Sequence, residues 1–315
     1  MAIRRKGRLS QGALYFLIGF LLFVMFGTMG FLYQQHRNIS HLRFLSHLTE
    51  AQQHVFSPDE EYDLLKQRIK REMAGFGGSY AVYLEDLSTG HQLGINSNKV
   101  FPAASVIKVP LVLFLYSLAL DGRINLDETI SIVPSDIEPS TGGLWSYHIG
   151  TTYTLRQLAK HTIEDSDNTA TNMLMRRLGR SNFYLFLRLS GASVVPWGPG
   201  KGNVTCARDA ALYLKGIWLF RQMEQPLGEE MMQYLLNSKF DDRIPAGVPF
   251  EIEVANKIGS QEGVFNDTAI IFLPNRPYVL SVLCCHPDEQ QAVEAIGRIA
   301  RLTYEYQREY HPRTN

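Results

Sequence analysis

Three short polar groupings interrupt otherwise apolar stretches of this chain: Ser105-Val-Ile-Lys108, Ser166-Asp167-Asn168 and Lys257-Ile258-Gly259-Ser260. A serine hydroxyl is a poor nucleophile at neutral pH and needs an adjacent base. A lysine amine can serve only if its pKa falls well below the ordinary ~10.4. Burial lowers an amine, and a second cation nearby does the same. The run from Pro102 to Leu120 is nearly all apolar and predicts a helix buried within a core, opening near Ser105. On it a spacing of three puts Ser105 and Lys108 on one face, and a place in the first turn aims free backbone N–H groups at a developing oxyanion. The chemistry these residues suit is acyl transfer through a serine ester. A plainer account, a capping serine followed by a lysine snorkelling from a core helix, also fits this tetrapeptide alone. The joint occurrence of all three groupings, in this order, argues for the chemical one.

Ser166-Asp167-Asn168 precedes an amphipathic helix that ends at Gly179, so an ordinary N-cap explains its polarity, with Asp167 in a structural role. The same triplet suits Ser166 to relay a proton toward a leaving group and Asn168 to hold both a substrate carbonyl and the lysine. Both readings can hold at once. Lys257 lies between two alternating stretches, Phe250 to Asn256 and Val264 to Leu273, which predict neighbouring strands joined through Gly259 and Gly263. There it is either a solvated edge charge or the positive charge facing Lys108 and a substrate carboxylate. In the second case the Ser260 N–H completes an oxyanion hole with that of Ser105.

Together the groupings resemble the Ser-x-x-Lys, Ser-Asp-Asn and Lys-Thr-Gly set of the class A β-lactamase-like, penicillin-recognising serine hydrolases. The resemblance covers residues 75 to 310. It extends to Ala81-Val-Tyr-Leu-Glu-Asp-Leu-Ser-Thr-Gly90, Tyr153-Thr-Leu-Arg-Gln-Leu158, Ser166-Asp-Asn-Thr-Ala-Thr-Asn172 and Asp241-Asp-Arg-Ile-Pro245. It implies Ser105 as nucleophile, Lys108 as its base, Ser166 as proton shuttle, and Asn168, Lys257 and Ser260 as substrate-binding groups, with no cofactor and no metal.

Two departures qualify what the resemblance implies. Class A β-lactamases hydrolyse the acyl-enzyme with a glutamate on a loop about thirty-five residues beyond the motif serine. Here Ser181 to Arg208 contains no aspartate or glutamate, and the loop Ser193 to Gly202 offers no carboxylate base. The first acid beyond it, Asp209, opens a helix and reads as favouring its N-terminus. Ile258 stands where the family has threonine or serine, and isoleucine cannot donate that hydrogen bond. A lost charge-assisted bond is worth ~1.5 to 3 kcal/mol.

Arg4, Arg5, Lys6 and Arg8 precede an apolar run from Leu14 to Leu32, long enough to span a bilayer core of about 30 Å. The expected organisation is a cytoplasmic basic tail at 1–13, an uncleaved transmembrane signal anchor at 14–33, a helical stalk at 34–74 and an extracytoplasmic catalytic domain at 75–315. Histidines 36, 41, 47 and 54 form no tight ligand pair and read as solvated stalk. Formal net charge is zero with no basic cluster outside the N-terminus, which argues against nucleic acid as a partner. Cys206, Cys284 and Cys285 make no disulfide framework and read as buried thiols.

The pattern beyond the anchor is strands near 79 to 95, helices from 105 to 238, strands near 250 to 285 and a helix from about 287 to 309. That is an α/β (α+β) arrangement, an antiparallel sheet of N- and C-terminal strands with a large helical insertion, and it agrees with the β-lactamase/transpeptidase-like fold that the resemblance implies. The cleft between them is the expected site, with Trp145, Tyr147 and Trp197 on loops at its rim or simply packed. The resemblance implies a serine hydrolase acting on a β-lactam or a peptidoglycan peptide, and the N-terminal run makes it a membrane-anchored one. The alternatives are a D-alanyl-D-alanine carboxypeptidase or transpeptidase, and a β-lactam or cell-wall-fragment sensor without turnover.

Overall fold

The strongly apolar C-terminal stretches form the middle of one antiparallel sheet. The computed structural model describes residues 62–196, 202–286 and 288–309. Strands β1 (Ser79–Asp86) and β2 (Gln92–Ile95) form a hairpin. β7 (Val254–Gln261), β8 (Val264–Ile271) and β9 (Tyr278–Cys285) complete the sheet in the order β2-β1-β9-β8-β7. β1 and β9 pair along their whole lengths, from Ser79 opposite Cys285 to Asp86 opposite Tyr278, so the two ends of the domain close on one another as expected. Both faces of these central strands are covered, which is why they read as near-continuous apolar runs and not as clean alternation. Tyr83, Val279 and Leu283 face the helical insertion, whereas Val82, Leu280 and Val282 face the two terminal helices.

Those terminal helices are α1 (Asp63–Phe76) and α8 (Glu289–Glu309). α1 falls within the segment expected to be stalk, yet Leu65 and Ile69 are fully buried and the Tyr62 hydroxyl donates to Gln307 on α8. The folded unit therefore already includes residue 62. Leu65 and Ile69, one turn apart, open a narrow apolar stripe that Met73 and Phe76 continue, on a helix whose other faces carry most of its charge. The anchor at 14–33, the rest of the stalk and the four histidines lie outside the described residues. Among the described residues no helix is long and apolar enough to cross a membrane.

The insertion is built around α2 (Lys108–Leu120), whose residues from Lys108 to Ala119 are all buried. Such all-round burial matches its unbroken apolar sequence. Around it lie α3 (Leu155–Glu164), α4 (Asn168–Leu178), α5 (Arg180–Leu189), α6 (Ala207–Met223) and α7 (Gln225–Leu236). α3 opens on a reciprocal pair, with the Gln157 N–H on Thr154 Oγ1 and the Thr154 N–H on Gln157 Oε1. Short ribbons join β3 (Phe101–Pro102) to β6 (Val204–Thr205) and β4 (Thr129–Ser131) to β5 (Thr152–Thr154). The three cysteines are free; Cys206 and Cys284 are buried, and Cys285 is half-buried.

Candidate active site

Ser105 sits in a single 3-10 turn, Ala104–Ile107, that leads directly into α2. Ala104 enters it with a φ of +47°, a left-handed conformation costly for a residue with a Cβ and maintained by the surroundings. Two asparagine side chains hold the approach: Asn203 donates to the Ala104 carbonyl, and Asn266 donates to those of Pro102 and Ala103. β7 presses against this turn through Gly259, where a Cβ would lie 2.8 Å from the Ala103 oxygen and 3.1 Å from the Ser105 nitrogen. The glycine lets the strand come up against the Ser105 backbone N–H, with Ser260, the next residue along it, on the wall of the same cavity as Ser105, the approach an oxyanion hole needs.

Lys108, three residues on, is buried beneath the serine. Its Nζ donates to the Ser166 carbonyl at 2.5 Å, to Ser166 Oγ at 3.2 Å and to Asn168 Oδ1 at 2.5 Å. Burial pulls its pKa down to about 8, against smaller opposing effects of Asp167 and Glu138. Lys257 Nζ donates to the same Ser166 hydroxyl at 2.9 Å, and burial, then the Lys108 charge, hold it well below the usual lysine range. The expected second-cation effect thus falls on Lys257, while burial alone lowers Lys108. Ser166 stands between the two amines at a φ of +53°, set to pass a proton from one to the other or onward. Lys257 is fully buried although β7 is the edge strand of the sheet, because the turn that carries Ser105 and helix α7 pack against it; β7 begins at Val254 and runs through the motif, and Phe250 to Glu253 are turn and loop instead of strand.

Asp167 takes the structural role. One of its oxygens caps α4 through the Ala170 N–H, and the other accepts the N–H groups of Gly143 and Leu144, fixing the neighbouring loop. Asp209 is likewise fully buried and accepts from Ser193 and Val194, so it tethers the loop start and is not placed to activate water.

The cavity beside Ser105 has a volume of about 470 Å³; its wall includes Lys108, Asn168, Asn172 and Ser260. Ile258 is buried and contributes nothing to that wall, whereas Ser260 does. Ser260 Oγ accepts a 2.5 Å bond from buried Arg243, whose guanidinium also donates to the Asn266 carbonyl. Asp267, behind Ile258, is pushed up to about 7 by its burial. Trp145 and Tyr147 are exposed on their loop and do not line this cavity; Trp197 lies outside the described residues.

Two groups had no role assigned to them from the sequence. Arg243 falls within Asp241-Asp-Arg-Ile-Pro245, a stretch that carries the family resemblance but no periodic signal. Glu138 sits in the proline-bearing loop Val133–Ser140, with one carboxylate oxygen 2.6 Å from Asn168 Nδ2 and the other 2.9 Å from Asn172 Nδ2. Asn168 is therefore held at both ends, its oxygen by Lys108 and its nitrogen by Glu138 and Ser140. Among the described residues no cluster of three or more His, Cys, Asp or Glu side chains could hold a metal.

Residues 64–307 match the model of the β-lactamase enzyme family. The chain is 30% identical over 230 residues to β-lactamase 3 of Bacillus cereus, covering 68% of this chain and 72% of that one. A variant of PBP-A, solved as its acyl-enzyme complex with penicillin G, superposes with a TM-score of 0.73 at 25% identity, over 79% of this chain and 98% of the other. A β-lactamase from Sphaerobacter thermophilus does so at 0.70 and 27%, over 80% and 99%.

Proposed function

The chain belongs to the β-lactamase enzyme family, and from that premise we propose that this serine hydrolase acts by an acyl-enzyme on Ser105, with a β-lactam or a related peptidoglycan peptide as substrate. Neutral Lys108 takes the Ser105 proton as Oγ attacks the carbonyl. The carbonyl oxygen gathers charge against the N–H groups of Ser105 and Ser260. As the C–N bond breaks, the proton travels through the Ser166 hydroxyl to the leaving nitrogen, leaving an ester on Ser105 and a neutral amine. Lys257, Asn168 and Ser260, the last steadied by Arg243, bind the carboxylate and carbonyl groups. The observation that carries this reading is the Ser166 hydroxyl, 3.2 Å from one buried lysine and 2.9 Å from the other.

A D-alanyl-D-alanine carboxypeptidase or transpeptidase is the second reading, favoured by the loop that lacks an acid between Ser181 and Arg208 and by the likeness to PBP-A. A time course with a chromogenic cephalosporin separates the two. Sustained product marks a β-lactamase; a burst equal to enzyme with steady D-alanine release from a D-alanyl-D-alanine peptide marks the second; a burst with neither marks a sensor. No product from either substrate, and traces matching those of Ser105→Ala, would sink the proposal.

We place the domain outside the cytoplasm on a single anchor at residues 14–33, supported by the basic residues ahead of an uninterrupted apolar run. Deleting residues 1–33 should move the protein from the membrane to the soluble fraction of cells. Persistence of the shortened chain in the membrane fraction would count against the anchor.

A further inference from the structure

We propose that Glu138 is the general base of deacylation, taking the part that the acid-free loop leaves open; the inference rests on Ser105 forming the acyl-enzyme proposed above. Glu138 is exposed on the wall of the cavity that Ser105 also lines. Its carboxylate is one amide away from the lysine that stands a turn after Ser105, because Asn168 accepts from Lys108 and donates to Glu138. Asn172 fixes the second oxygen, and the Glu138 backbone N–H is tied to Thr169 Oγ1, so both chain and carboxylate are positioned from α4. Each oxygen accepts one amide N–H and keeps a lone pair for a water molecule.

In the proposed step Glu138 takes a proton from that water as its oxygen adds to the ester carbonyl. Lys108, left neutral by acylation, takes up a proton from solvent before this step, as an amine held at about 8 does at neutral pH. The bond from the carbonyl carbon to Ser105 Oγ then breaks, and Oγ recovers its proton from that ammonium. The product acid leaves, and the proton on Glu138 passes to solvent or back to Lys108. No oxidant or further reactant is needed. Asn168 Nδ2 donates one hydrogen to Glu138 and the other to Ser140 Oγ, so a substrate carbonyl can replace Ser140 as acceptor of the second while Glu138 keeps the first.

The test compares the full chain with Glu138→Gln and Glu138→Asp, following the Ser105 adduct of a penicillin by intact mass after rapid mixing and chase. A general base contributes about 10²- to 10⁴-fold, so Glu138→Gln is expected to lengthen the adduct lifetime at least ~100-fold while adduct formation slows far less. Glu138→Asp should recover part of the loss. A merely structural role through Asn168 would slow formation at least as much as decay, and that result, or an unchanged lifetime, overturns the proposal. A wild-type adduct that never decays overturns it too, while leaving acylation intact. No wild-type adduct at all would fail the reading it rests on.

Discussion

Replacing Lys108 with arginine is expected to slow formation of the Ser105 adduct by about 10²- to 10⁴-fold, with the fold retained. The arginine keeps a cation against the Ser166 carbonyl and Asn168, but its guanidinium stays protonated at any working pH and cannot accept the serine proton. Lys108 can, because burial brings it to about 8. At pH 7 roughly a tenth of the molecules then carry the free amine, some two hundred times the fraction an ordinary lysine would offer. The sign of the pH dependence follows. The active form is the deprotonated one, so acylation should rise about tenfold per pH unit below 8 and level off above it. Measuring adduct formation from pH 6 to 10 checks both parts. A rate flat below pH 8, or an arginine variant as fast as the wild type, would remove Lys108 from the role of base.

Asp167→Ala carries the largest expected loss of stability. The carboxylate caps α4 and holds two backbone N–H groups of the Gly143–Leu144 loop, in a site with no exposure. A cap is worth ~1 kcal/mol and a charge-assisted bond about 1.5 to 3, so with partial relaxation the loss should be about 3 to 5 kcal/mol. In a domain of this size that lowers Tm by about 10 °C. Asp167→Asn, which keeps an acceptor for the cap, should lose roughly half as much. Thermal unfolding of the three proteins decides it, and a fall under ~2 °C for the alanine variant would show that the loop and the helix start are held by other contacts.

What could be read from the sequence was what is local. Ser105 and Lys108 are one turn apart, Ser166 and Asn168 two residues apart, and Lys257 and Ser260 share one strand, so each grouping keeps its chemistry within a few positions. The central strands and α2 announce themselves as unbroken apolar runs because they are buried on all sides. Helix Asp63–Phe76 did not, since Lys66, Arg68, Lys70 and Arg71 are interleaved with the four residues, Leu65, Ile69, Met73 and Phe76, that pack on the core. The alternation of Phe250, Ile252 and Val254 imitates a strand, but Phe250 points fully into solvent and pairing starts only at Val254.

The unforeseen contacts are those made by distant returns of the chain. Glu138 meets Asn168 across 30 positions in sequence and Arg243 meets Ser260 across 17, in loops with no periodic signature. The absence of an acid from residues 181–208 was plain in the sequence. That another carboxylate enters the same cavity from a loop ahead of Ser166 was not, because its position depends on how Thr169, Asn168 and Asn172 on α4 hold that loop.

The most direct test of the central claim is to locate the acyl group. The full chain is treated with a penicillin, quenched in acid, digested and mapped by mass spectrometry. Ring opening adds the whole penicillin without a leaving group, so the peptide carrying Ser105 should gain the full mass of the antibiotic, and the same peptide from Ser105→Ala should gain nothing. Label on a different residue, or none on folded protein between pH 7 and 9, would contradict the account.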